Sequence, residues 1–111
     1  MPHSKDKLFE DILIAIQDIE SFSNGKTLAD YKSDKLLQSA IERQLKIIGE
    51  ALNRLKAIDK SHLDYITDAN RIIGMRNILA HGYDAINDDI VWEAVKSHIL
   101  ILKAEIAKLK P

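Results

Sequence analysis

The feature that most constrains the fold is a repeat of apolar residues at steps of three and four along most of the chain. The longest stripe comprises Leu37, Ala40, Ile41, Leu45, Ile48, Leu52 and Leu55. Steps of this size place side chains on one face of an α-helix. No alternation of apolar and polar residues, which would indicate a β-strand, extends over any length. The pattern therefore predicts an all-α protein.

Two long helices are predicted in the N-terminal half. The first covers about Ser4–Phe22, and the following Ser23-Asn24-Gly25 is typical of a helix end. The second covers about Ser33–Lys56, and the Thr27–Lys32 segment before it is ambiguous, with room for one short helical turn. Gly49 interrupts the second helix at a cost of about 1 kcal/mol relative to alanine. It either permits close approach of another backbone or is simply tolerated.

Two more helices are predicted in the C-terminal half. The third covers about Asp68–Ala80, and His81-Gly82-Tyr83 should end it because glycine favours the left-handed conformation past a helix end. The fourth begins at Asn87-Asp88-Asp89, which suits a cap and an acidic first turn. Asp59–His62 is predicted as a linker. Four helical segments with short connections predict one domain over residues 1–111, an antiparallel up-and-down helical bundle.

Some apolar residues lie outside the predicted stripes, and they leave the oligomeric state open. Ile14, Leu100 and Ile101 are the clearest examples. A homodimer would bury them. Equally, the helices of a bundle can simply have wide apolar faces.

Charge and composition exclude several functional classes. Lys and Arg number 16 against 17 Asp and Glu, so the formal net charge is −1. Bulk electrostatic wrapping of nucleic acid needs an excess of basic residues, so only a local basic site remains open. The chain has no cysteine, which excludes disulfides, thiolate metal sites and cysteine nucleophiles.

Neither a metal site nor a membrane segment is predicted. The chain has no HExxH motif and no regularly spaced set of His, Asp and Glu, so we expect no metal and no cofactor. The N-terminal residues are polar, and the apolar run Ile12–Ile16 is too short for a signal-peptide core or a membrane span. We therefore expect a cytoplasmic protein that does not enter membranes.

The residues with the most chemical potential surround the end of the third helix. Arg76 and His81 are five residues apart, which on a continuous helix separates their directions by about 140°. If the helix ends at Ala80, His81 leaves the helical track and can turn back beside Arg76. A guanidinium for phosphate and an imidazole for proton transfer would suit metal-free cleavage of RNA by its own 2'-hydroxyl. The spacing alone is weak, and a surface arginine with a helix-capping histidine explains it as well.

Three further residues are candidates for supporting roles. The amide of Asn77 could orient His81 or contact a phosphate, or it could be solvated. Glu50 is an acid in an otherwise apolar stretch, and it faces either a cleft or water. Tyr83 either exposes its hydroxyl past the turn or anchors the loop by packing. His98 is predicted as a residue at the boundary of an amphipathic helix and not as a ligand.

The motif Arg76-Asn77-x3-His81-x-Tyr83 resembles the R-x4-6-H motif, with its trailing x-Tyr, of HEPN-domain ribonucleases. More narrowly, it resembles the HepT toxins of HEPN/MNT toxin–antitoxin pairs. Three other stretches are similar to family patterns in the same order, namely Ile47–Ala51, Ile73–Asn77 and Asp89–Trp92. The resemblance therefore covers nearly the whole chain and is more specific than the motif alone.

The resemblance implies a HEPN fold and a homodimer whose cleft combines the motifs of both protomers. It implies a metal-independent endoribonuclease, the toxin of a type VII-like pair, in which Arg76 and His81 are catalytic and Asn77 is supporting. It also implies a minimal nucleotidyltransferase (MNT) antitoxin that transfers AMP from ATP to Tyr83. The rival hypothesis is a non-catalytic helical module that only docks a nucleotidyltransferase, with Arg76 and His81 in the interface.

Overall fold

A computed structural model describes residues 4–81 and 87–109, and no strand occurs in these two ranges. The helices are α1 (Lys5–Ser23), α2 (Leu28–Ser33), α3 (Lys35–Ile58), α4 (Ala69–Ala80), α5 (Asp88–Glu93) and α6 (Ile99–Leu109). A 3₁₀-helical segment (Lys60–Tyr65) precedes α4, and a π-helical turn (Ala94–His98) joins α5 to α6. The prediction of an all-α helical bundle is confirmed.

Local capping explains where the first three helices begin. The Ser4 hydroxyl accepts a hydrogen bond from the Lys7 amide at 3.3 Å and so caps the start of α1. The ambiguous segment is the short helix α2, which a reciprocal capping box between Thr27 and Asp30 stabilises. The Asp34 carboxylate accepts from the Leu37 amide at 3.1 Å and caps α3.

Two details of the C-terminal half differ from the prediction. The predicted linker Asp59–His62 is mostly the start of the 3₁₀-helical segment. The predicted fourth helix is divided by the π-helical turn, in which the backbone forms wider rings than in an α-helix. Val91, Val95 and Ile99 are separated by two successive steps of four, which exceed the 3.6 residues of an α-helical turn. The wider turn keeps all three buried.

The core is organised around α3, which packs against α1 on one side and α4 on the other, while α6 packs against α1. The α3 side chains Ile41, Leu45, Ile48, Leu52 and Leu55 are almost completely buried. Each contributes roughly 1.5–3 kcal/mol through removal of apolar surface from water. At the other end of the bundle, the Tyr31 ring stacks on Trp92 with 5.2 Å between centroids and joins α2 to α5.

At Gly49, the backbone of α3 lies in close contact with α4. A Cβ atom at this position would overlap the Arg76 Cβ and would lie 2.8 Å from its Cγ and 3.2 Å from the Ile72 carbonyl oxygen. Of the two interpretations of Gly49, close backbone approach is therefore confirmed. The absence of a side chain at Gly49 lets the stem of Arg76 lie directly on α3.

We predict that Gly49→Ala lowers the free energy of unfolding by up to about 2 kcal/mol, because overpacking costs about 1–3 kcal/mol and the gain in helix propensity is only about 1 kcal/mol. Gly74→Ala is the matched control, since a Cβ there meets no atom within 4 Å. It should raise the free energy of unfolding by about 0.5–1 kcal/mol. Urea titrations followed by circular dichroism would measure both, and equal effects would contradict the close-contact explanation.

Candidate functional site

Arg76 lies at the centre of the site and brings two of the predicted residues together. Its Nη2 lies 2.5 Å from Glu50 Oε2, and its Nη1 donates to Asn77 Oδ1 at 2.9 Å. The Glu50 carboxylate comes from α3, whereas Arg76 and Asn77 are neighbours on α4. Glu50 therefore faces the site and not only water, and the Asn77 amide contacts the guanidinium.

The Glu50 carboxylate is shared between two arginines. Its second oxygen, Oε1, accepts from Arg54 Nε at 3.1 Å, one helical turn further along α3. The side chains of Arg76 and Glu50 are 29% and 36% exposed, so solvent screens the pair and its net stabilisation is about 0–1 kcal/mol. The contact therefore matters more for the orientation of the Arg76 guanidinium than for stability.

An open groove of about 370 Å³ lies beside this pair, between α1, α3 and α4. Its lining combines an apolar floor with charged walls: Leu8, Asp11, Arg43, Lys46, Ile47, Glu50, Ala51, Arg54, Arg76 and Ala80. Four of these side chains are cationic and two are carboxylates. A chain whose net charge is −1 thus contains a locally positive groove next to Arg76. This is the local basic site that the charge totals left open.

Three of these cations, Arg43, Lys46 and Arg54, were not singled out as candidates from the sequence. The signal for them is their spacing with Glu50, at steps of three, four and four residues along α3. Such steps place side chains on one face of a helix. Only the structure shows that this face borders a groove.

His81 occupies the C-terminal end of α4, which ends at Ala80 as predicted. His81 itself keeps right-handed helical dihedral angles, with φ −92° and ψ 0°, and its amide donates to the Asn77 carbonyl at 3.2 Å. The backbone therefore leaves the helical track later than we predicted. On an ideal α-helix, positions 76 and 81 differ in direction by about 140°. Tyr83 and Gly82 lie outside the described residues.

His98 forms a separate polar contact near the start of α4. Its Nδ1 lies 3.0 Å from Asp68 Oδ2, and its Nε2 lies 3.2 Å from Arg71 Nη1. Because a guanidinium can only donate, Nε2 must accept, and Nδ1 then carries the proton donated to Asp68. The His98 ring thus links the beginning of α4 to the π-helical turn. His98 is partly buried, as expected for a residue between the polar and apolar sides of an amphipathic helix.

The described ranges also bear on metals and membranes. Residues 4–81 and 87–109 contain no group of three His, Asp or Glu side chains placed to hold a metal ion. None of the helices in the same ranges is long and apolar enough to cross a bilayer.

Comparison with known proteins gives a consistent set of relatives. The family described as "Ribonuclease HepT-like" matches residues 12–109. The "Probable ribonuclease HepT" of Thermococcus cleftensis is 34% identical over 110 residues, which cover 99% of this chain and 99% of that protein. No solved structure gives a significant match.

Two further relatives match over shorter stretches. A Methanocaldococcus jannaschii protein named "Gamma-glutamylcyclotransferase and putative RNase" is 36% identical over 98 residues, or 88% of this chain. This chain spans only 44% of that protein. A Caldanaerobacter subterraneus protein named "Putative RNase" is 33% identical over 86 residues, which cover 77% of this chain and 75% of that protein.

Proposed function

Because the chain belongs to the HepT-like ribonuclease family, we propose that it is a metal-independent endoribonuclease, the toxin of a type VII-like toxin–antitoxin pair that acts in the cytoplasm. The observation that carries this proposal is the Arg76 guanidinium, held by Glu50 at the edge of a positively charged groove. Arg76 has five N–H groups, and its contacts with Glu50 and Asn77 use two of them. Three remain for a phosphate.

The proposed reaction needs only groups of the protein and the substrate. His81 takes the proton of the 2'-hydroxyl, whose oxygen attacks the adjacent phosphorus. Arg76 stabilises the added negative charge on the phosphorane. The bond from phosphorus to the 5'-oxygen then breaks, and that oxygen takes up a proton and leaves as a 5'-hydroxyl. The other product ends in a 2',3'-cyclic phosphate.

The separation of Arg76 and His81 around α4 supports a cleft built by a homodimer. α4 packs mainly on α3. On the opposite side of α4, Ile78 and Ile90 line a groove together, and their side chains are 37% and 58% exposed. Ile78 lies between Arg76 and His81 in sequence. Pairing of this α4/α5 face around a two-fold axis would bring the α4 helices of both protomers together, with each Arg76 on the side of its helix that faces α3.

We predict that RNA cleavage persists in excess chelator and leaves 2',3'-cyclic phosphate ends, because the proposed chemistry uses no metal. His81→Ala should abolish cleavage. Arg76→Lys should lower the rate on the order of 100-fold, since an ammonium cannot replace a fixed guanidinium. Cleavage of a labelled RNA, with mass spectrometry of the ends, measures all three.

Two controls make this test specific. Glu50→Gln should slow cleavage because Arg76 loses its anionic partner, whereas Lys56→Gln, on the same helix but outside the groove lining, should not. Complete loss of activity in chelator, restored by a metal ion, would contradict the mechanism. Absence of both cleavage and toxicity, with tight binding to a nucleotidyltransferase, would favour the rival docking module.

We predict that the protein is a dimer with about twice the monomer mass of 12.6 kDa. Ile78→Gln should shift it to the monomer, because a polar side chain would enter the proposed α4/α5 interface. Leu100→Gln is the matched control on the other exposed apolar surface, where Ile14, Leu100 and Ile101 are 44–51% exposed. Light scattering gives the masses. A wild-type monomer, or dissociation by Leu100→Gln alone, would contradict the α4/α5 interface.

We further propose that Tyr83 is the regulatory site, modified by AMP from ATP through an MNT antitoxin. Tyr83 follows His81 by two residues, so a nucleotide there would bring bulk and a negative phosphate close to the motif. The phosphate could pair with Arg76 and occupy the group intended for substrate. Inhibition would then be both steric and electrostatic.

We predict that co-expression with the cognate nucleotidyltransferase adds AMP to Tyr83 and silences the nuclease, and that Tyr83→Phe escapes this control. Tyr65→Phe is the matched control because Tyr65 is 68% exposed and therefore accessible. Tyr31 is completely buried, and its burial raises the pKa of its hydroxyl well above the ordinary value. Peptide mass spectrometry locates the adduct. An adduct on Tyr65, or neutralisation of Tyr83→Phe without any adduct, would contradict the proposal.

A further inference from the structure

The groove contains two cations that the proposed chemistry does not use. Arg43 and Lys46 lie on α3, are exposed, and line the same groove as Arg76. Neither forms an ion pair or a hydrogen bond with any side chain in the described part of the chain. Lys46 interacts with the Glu42 carboxylate one helical turn before it, but only through the electrostatic field and without a direct pair. The donor groups of both cations are therefore available to a ligand.

The two carboxylates of the groove are already engaged. Asp11 pairs with Lys7 at 2.8 Å, and Glu50 is shared between Arg54 and Arg76. Neither of these carboxylates neutralises Arg43 or Lys46.

The dimensions of this stripe suit a chain of phosphates. Arg43 and Arg54 are eleven residues apart on α3, which corresponds to roughly 16 Å along the helix axis. That length equals about five nucleotides of a stacked strand. Lys46 lies between these ends, about 4.5 Å along the axis from Arg43 and about 12 Å from Arg54, so three cations are distributed unevenly over the length of the groove.

The groove favours a single strand over a duplex. Its volume of about 370 Å³ is near the lower end of the range that holds a small ligand. The groove itself therefore holds about one nucleotide of a strand that continues along the exposed face of α3, and it is too small to enclose a double helix. Its floor is apolar, through Leu8, Ile47, Ala51 and Ala80, and none of the described residues that line it is aromatic. Binding to these lining residues would depend mainly on charge and would be tolerant of sequence.

We propose that Arg43 and Lys46 bind the backbone phosphates of single-stranded RNA and lead the strand along α3 to Arg76. This inference rests on the proposed ribonuclease function, and it assigns two substrate-binding residues outside the motif. They position the strand and take no part in bond breaking.

The test is the salt dependence of RNA binding, measured in a His81→Ala background so that the RNA stays intact. The probe is a fluorescent ten-nucleotide oligouridine. Its fluorescence anisotropy is measured at salt concentrations from about 50 to about 300 mM. Arg43→Gln and Lys46→Gln should each reduce the slope of log affinity against log salt by about 0.7, the value for one phosphate contact to a single strand. Lys56→Gln, with the same charge change on the same helix, should leave the slope unchanged.

Other outcomes separate this inference from the proposed function. If the wild-type chain cleaves RNA but neither variant changes the slope, the assignment of Arg43 and Lys46 is wrong and the ribonuclease proposal is supported. If the slopes fall as expected but the wild-type chain cleaves no RNA, the assignment of the two residues is supported and the ribonuclease proposal is wrong. If RNA binding is unchanged while both variants weaken capture of a co-expressed nucleotidyltransferase, the groove is a protein-docking surface and the inference is overturned. Unchanged melting temperatures would show that all variants fold.

Discussion

The close contact between α3 and α4 at Gly49 is the constraint on which the candidate site depends. Without a Cβ at this position, the Arg76 stem lies against α3, and its guanidinium reaches Glu50 one residue further along that helix. The residue that permits close packing of α4 and the residue that holds the Arg76 guanidinium are therefore neighbours on α3. A side chain at Gly49 would move both together, because packed interiors transmit strain.

The sequence predicted the fold closely because the apolar periodicity of α1 and α3 is strong and the starts of both helices carry capping residues. The π-helical turn at Ala94–His98 was missed, since a stripe with steps of four fits an uninterrupted helix equally well. α2 was left ambiguous because six residues are too few for a periodic pattern, and its stability depends on the Thr27–Asp30 capping box.

The candidate site was predictable only in part. Arg76, His81, Asn77, Glu50 and Tyr83 came from the motif, from its resemblance to a family, and from an acid in an apolar stretch. The pairing of Glu50 with Arg76 was not predictable, because it joins residues 26 positions apart through the packing of two helices. The basic groove was hidden for the same reason: a net charge of −1 conceals a local excess of cations that only the fold assembles.

The Glu50 carboxylate has a consequence for selectivity. A substrate phosphate that approaches Arg76 meets a guanidinium that already holds a tethered anion. Such an internal competitor acts at a high effective concentration because it cannot diffuse away. A small monovalent anion makes one weak contact and would rarely displace the Glu50 carboxylate from the guanidinium. A polymer that makes several contacts at once can displace the carboxylate or bind beside it. The site would thus discriminate by valency, ignoring the many free anions of its surroundings and responding to a strand.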